Sequence, residues 1–203
     1  MIKNIVFDFG GVLMDWNPRY YFKTHFNDDE KMEYFLESIA SSHWNGEQDK
    51  GRLLDHGTEL LVKEHPEWAS AIRAYYANWT TMLKGEIESN VKVLRELALT
   101  PYALYGLTNW SHQTFPYALE NYDFFQLFEG KIVVSGDEKL IKPDPKIWEV
   151  LLERYNLNPQ ESVFIDDNLA NIRMAEKLGF LTVHVSESTE LKSELENLGV
   201  LFP

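Results

Sequence analysis

Five short apolar runs punctuate the chain: "NIVFDF" at 4–9, "YALYGL" at 102–107, "KIVVS" at 131–135, "SVFID" at 162–166 and "LTVHV" at 181–185. They are rich in β-branched and aromatic residues and mostly lack the apolar–polar alternation of a half-exposed strand. This is the pattern of parallel strands buried on both faces. Between the later runs the apolar spacing becomes helical. Ile87, Val91, Leu94 and Leu97 mark a helix over 87–97. Ile147, Val150, Leu151 and Leu152 mark another over 145–155, with Pro145 suited to its first turn. A third, over 168–178, runs into Gly179, a good stop signal. Strand and helix in alternation predict an α/β fold, a doubly wound, mainly parallel five-stranded Rossmann-like sheet.

The stretch from Trp16 to Lys84 breaks that rhythm. It has no convincing strand, has helical patterns over 28–39 and 53–64, and is dense in Trp, Tyr and Phe. It therefore reads as a helical insertion over 16–84, leaving 1–15 and 85–203 as the sheet-bearing core.

Composition narrows the chemistry. Apolar residues make up 44% of 203, enough for a true core. The net charge of −13, with no basic run, argues against nucleic-acid binding. Cysteine is absent, which excludes disulfides, a thiol nucleophile and cysteine metal sites. No stretch approaches the roughly 20 apolar residues of a membrane span. The expectation is a soluble cytoplasmic protein without a membrane partner.

In open α/β sheets, ligands bind beyond the carboxyl ends of the strands. There the sequence places Asp8, then Thr108 and Asn109, then Lys142 in "SGDEKLIKPDP", then Asp166 and Asp167. Carboxylates that converge repel unless one is protonated or a cation joins them. Asp oxygens suit Mg²⁺, which takes few carboxylates and the oxygens of a substrate phosphate. A Lys and a Thr hydroxyl would hold those oxygens. One Asp can then attack phosphorus and carry an aspartyl-phosphate.

The segments "FDFGGVL", "LTN", "KPDP" and "FIDDN", in this order, resemble the four motifs of the haloacid dehalogenase-like hydrolase superfamily. The resemblance covers essentially the whole chain, and the helical insertion matches members with a small helical cap. It implies that Asp8 is the nucleophile and a Mg²⁺ ligand, and that Gly10 lends its backbone carbonyl to the metal. Thr108 and Asn109 would bind the phosphoryl group, partly through backbone N–H. Lys142 would neutralise phosphate and Asp8, Asp167 would ligate Mg²⁺, and Asp166 would act beside it. Asn171 would orient the acids. In the cap, Trp44, Asn45 and Asp49 of "HWNGEQDKG" would help select a small phosphorylated substrate.

One position departs from the pattern. Phosphatases of this family usually carry a second Asp two residues after the nucleophile, which protonates the leaving oxygen and later activates water. Here that residue is Gly10. Acid–base catalysis is worth about 10²–10⁴-fold, so alkyl phosphates would suffer most and sugar 1-phosphates or acyl phosphates less. Some cap-bearing sugar phosphatases also have Gly here. Asp15 is a possible substitute. The rival readings are a 2-haloacid dehalogenase, which would need no metal, and a phosphate- or partner-binding protein without turnover. Dehalogenases characteristically lack the acid pair kept here as Asp166 and Asp167, which favours a metal-dependent phosphatase. The six histidines show no metal-ligand spacing.

Overall fold

The computed structural model describes residues 1–203. Seven strands form, β1 (Asn4–Phe7), β2 (Met14–Trp16), β3 (Leu83–Glu86), β4 (Ala103–Thr108), β5 (Ile132–Val134), β6 (Ser162–Asp166) and β7 (Leu181–His184). Five of them make a parallel sheet in the order β5-β4-β1-β6-β7. The sheet is covered on both faces, as the unbroken apolar runs require. In β1, Ile5 and Phe7 join the core on one face with Val163 and Ile165 of β6. Val6 joins Phe164, Trp148, Leu151 and Ile172 on the other. The expected helices appear as Glu88–Leu97, Pro145–Tyr155 and Leu169–Lys177.

Strand order puts β1 between β4 and β6, with Phe7 in register with Gly106 and Ile165. The chain leaves β1 through a tight loop in which the amides of Val12, Leu13 and Met14 all donate to the Phe9 carbonyl. That loop brings Gly11 against Asp167. A Cβ on Gly11 would lie 2.2 Å from the Asp167 carboxylate, and its φ of 71° is itself glycine-like. Gly10 differs on both counts. A Cβ there would meet nothing within 4 Å, and its φ is not positive.

Between Arg19 and Met82 the regular elements are all helical. They pack around their own core of Phe22, Phe35, Leu61, Ile72, Tyr75 and Met82. The stretch expected as one helix over 28–39 is α-helical at Asp29–Tyr34 and then widens to a π-turn at Phe35–Ile39. Contrary to expectation, strands flank these helices. β2 and β3 pair antiparallel, Asp15 opposite Gly85, and the expected divides at 15/16 and 84/85 fall inside them. Three or four residues carrying Asp15, Lys84 and Gly85 make no apolar run, so periodicity gives no sign of this ribbon.

Candidate active site

The site grows from the carboxyl ends of β1, β4 and β6. The Asp8 amide donates to the Ile165 carbonyl at 2.8 Å, continuing the β1–β6 ladder by one residue and fixing the Asp8 backbone at the sheet rim. Its Oδ1 accepts the Phe9 amide at 2.7 Å, and its Oδ2 lies 3.0 Å from Lys142 Nζ. Lys142 is 3% exposed, yet each of its three N–H bonds finds an acceptor. These are the Leu107 carbonyl at 2.8 Å, Asp166 Oδ2 at 2.6 Å and Asp8 Oδ2. A buried ammonium is tolerable only when paired and bonded in this way.

Asp166 is fully buried and its oxygens are committed. Besides Lys142 it accepts the Asn168 amide at 2.8 Å and the Asn171 side-chain amide at 3.0 and 3.1 Å. Asn171 thus orients this acid, and Asp166 in turn holds Lys142. Asp167 reaches solvent. One ligand oxygen each from Asp8, Asp166 and Asp167 lie within 4.8 Å of one another. Against these three acids stands one ammonium. Burial, only partly offset by Lys142 and reinforced by Asp166 and Asp167, pushes the Asp8 carboxyl up to about 8. The same cluster with a divalent cation would lose that penalty, so the donor set fits Mg²⁺.

Thr108 ends β4, buried beside this cluster's strand ends. Asn109 behaves differently from expectation. Its Nδ2 donates to the Lys142 carbonyl at 3.0 Å and its Oδ1 accepts the Lys142 amide at 2.8 Å. Both ends of the side chain bond the lysine backbone, so one Nδ2 hydrogen and the main-chain N–H are what it has left for a phosphate. Asn109 therefore positions Lys142.

A cavity of about 80 Å³ lies where the inserted helices face the sheet edge, with Gly10, Asn45, Asp49 and Asn109 in its lining. Trp16, Tyr76, Trp79 and Trp110 supply aromatic walls. Of the three inserted residues singled out in the sequence, Asn45 and Asp49 line it and Trp44 does not. Trp44 is buried in the helical core, edge-on to Tyr75, with its indole N–H on the Gly57 carbonyl at 3.1 Å. Sequence reasoning missed Tyr76, whose hydroxyl donates to Asn45 Oδ1 at 2.8 Å, and Ser135, whose hydroxyl donates to the Asp49 carbonyl at 2.5 Å. The residues around Tyr76 give no motif, and Ser135 looks like the end of an apolar run. Asp15 lies in a separate hollow, with Gly11, Asp167 and His184.

The chain is 28% identical over 197 residues to the sesquiterpene phosphatase astK of Aspergillus oryzae, covering 97% of this chain and 96% of that one. It is 25% identical to the D-ribitol-5-phosphate phosphatase of Bacteroides thetaiotaomicron, covering 96% and 97%. Among solved structures, a haloacid dehalogenase family enzyme of the same bacterium, in complex with magnesium and inorganic phosphate, superposes with a TM-score of 0.70 at 22% identity, covering 96% and 99%. The family of haloacid dehalogenase-like hydrolases matches over residues 2–179, and the chain, a hydrolase with phosphatases among its relatives, belongs to that family.

Proposed function

We propose that the protein is a Mg²⁺-dependent phosphohydrolase of small phosphorylated metabolites that works through an aspartyl-phosphate on Asp8. The observation that carries this reading is the cluster of Asp8, Asp166 and Asp167 within 4.8 Å around the single buried ammonium of Lys142. Asp8, Asp167 and the Gly10 carbonyl would hold the ion, which supplies positive charge to the phosphate oxygens when bound. Asp166 is left out of that shell, because Lys142, Asn168 and Asn171 occupy it. The Asp8 oxygen that faces Lys142 attacks phosphorus in line with the leaving oxygen. Lys142 stabilises the charge that builds there, and water then attacks phosphorus to release phosphate and restore Asp8.

The helices of 16–84 serve as the cap. They supply Tyr76 and Trp79, which with Trp16 at the end of β2 stand against Trp110 of the core, so the non-phosphate part of the substrate meets aromatic walls. Such walls suit the carbon face of a sugar or polyol as well as an apolar chain. The phosphatase relatives, one named for a sesquiterpene substrate and one for D-ribitol 5-phosphate, support that range. A Mg²⁺-dependent release of phosphate from a panel of sugar, polyol and terpenyl phosphates is expected, abolished by chelation. Asp8→Asn should lower the rate by on the order of 10⁴-fold or more, as loss of a covalent nucleophile does. Full activity in Asp8→Asn would refute the mechanism. Halide release from 2-haloacids without metal would favour the dehalogenase reading, which the intact acid pair argues against.

A further inference from the structure

We propose that Asp49, on the inserted helix Ser42–Asp49, is the general acid and base that Gly10 cannot be. This rests on the phosphatase reading and completes it. The two residues line the same cavity, together with Asn109, so a leaving group placed over Gly10 would share that cavity with Asp49. The rival Asp15 lines the other hollow, and Tyr20 donates to both of its oxygens, at 2.8 and 3.0 Å.

Asp49 is held as a positioned group is held. Asn45 Nδ2 donates to its Oδ2 at 2.8 Å, and the Ser111 backbone N–H lies beside its carboxyl group, where it favours the ionised form. Asn45 is itself fixed by Tyr76. The Asp49 carbonyl accepts from Ser135, whose oxygen also receives the Trp110 amide at 2.9 Å. One hydroxyl therefore ties the helix carrying Asp49 to the strand ends that carry the phosphate site. No lysine or arginine pairs with Asp49, so nothing cationic holds it ionised. Loss of solvent, against the Ser111 amide and with the charge of Asp8, pushes its carboxyl up to about 8. It thus carries a proton to give near neutral pH.

The proton balance closes over two steps. In the first, a bond forms between Asp8 Oδ and phosphorus while the bond from phosphorus to the ester oxygen breaks. The Asp49 proton goes to that oxygen and a neutral alcohol leaves. In the second, the Asp49 carboxylate takes a proton from water as the water oxygen bonds to phosphorus and the bond to Asp8 breaks. Phosphate leaves, Asp8 is regenerated and Asp49 is protonated again.

The test uses the full chain with Mg²⁺ and three substrates of rising leaving-group quality: glycerol phosphate, p-nitrophenyl phosphate and acetyl phosphate. In Asp49→Asn, kcat/KM for glycerol phosphate should fall about 10²–10⁴-fold, and for acetyl phosphate less than about 10-fold. Because the second step still lacks its base, p-nitrophenol should appear as a burst equal to the enzyme present, with phosphoenzyme accumulating. Asp49→Ala, which removes a desolvated carboxyl and its cost, is the second variant and should give the same pattern. Adding Gly10→Asp to either variant should restore alkyl phosphate turnover, since the space at Gly10 is open. Equal losses on all three substrates without a burst, or no loss, would overturn the assignment of Asp49. A wild-type chain inert toward all three would instead overturn the phosphatase reading, and this one with it.

Discussion

Lys142 has three N–H bonds to give and three oxygens to receive them. Lys142→Met would keep most of the volume but leave Asp8 and Asp166 buried without a counter-charge. A loss of roughly 3–5 kcal/mol is expected in metal-free protein, the scale of a broken buried ion pair. Chemical denaturation with and without chelator measures it, and Mg²⁺ should recover part of the loss. The two glycines after Asp8 make opposite demands. Gly11→Ala would press a methyl onto the Asp167 carboxylate at an unfavourable φ, so the rise in Tm on adding Mg²⁺ should shrink. Gly10 is under no such constraint, and its missing side chain is a matter of chemistry, with no steric cause in the fold. At this scale Asp8, Lys142, Asp166 and Asp167 were legible because strand-end position and residue type together define them. The work of Asn109 was not, because its partner is the backbone of a residue 33 positions away.

Among the elements, the apolar runs of the parallel sheet were readable almost to the residue, since burial on both faces leaves little room for polar ones. Helix starts were also readable. Asn168 caps Leu169–Lys177 by accepting the Ala170 amide at 2.9 Å, directly behind Asp166 at the end of β6 and Asp167 after it. Asn168→Ala should cost about 1 kcal/mol. Thermal unfolding measures that, while the bond from the Asn168 backbone N–H to Asp166 should survive the substitution. The ribbon of β2 and β3 was invisible, as short strands without alternation give no period to detect. The aromatic walls were invisible for another reason. Trp44 and Tyr76 look alike in the sequence, and only packing decides that the first fills a core and the second faces a cavity.

For the molecule as a whole, the balance of charge sets its response to pH and metal. Free of metal, Asp8 is pushed from the ordinary 3.8 up to about 8. Between those values the folded chain holds a proton that the unfolded chain has released. Stability of the chelated protein should therefore fall as pH rises from about 4 to about 8, by up to roughly 1.4 kcal/mol per pH unit for one such group. Asp49 adds to the slope in the same direction. With Asp8 as a Mg²⁺ ligand, as proposed, the ion would displace the Asp8 proton, so the gain in Tm from the ion should grow across the same window. Melting curves at pH 6 and pH 8, with and without Mg²⁺, check the sign, and Asp8→Asn should flatten the trend.

The pairing of β2 with β3 has a consequence for how such proteins diversify. Asp15 stands opposite Gly85, so the chain leaves the sheet-bearing body and returns to it at neighbouring points of one ribbon. Everything between them is, in topological terms, a cassette whose two ends already touch. Another unit with closely spaced ends could be grafted at that seam without moving a single residue of the strand-end cluster. On the proposed function, the phosphate chemistry and the choice of its bearer would then be separable, and a chimera carrying a relative's helices on this ribbon should keep the first while exchanging the second.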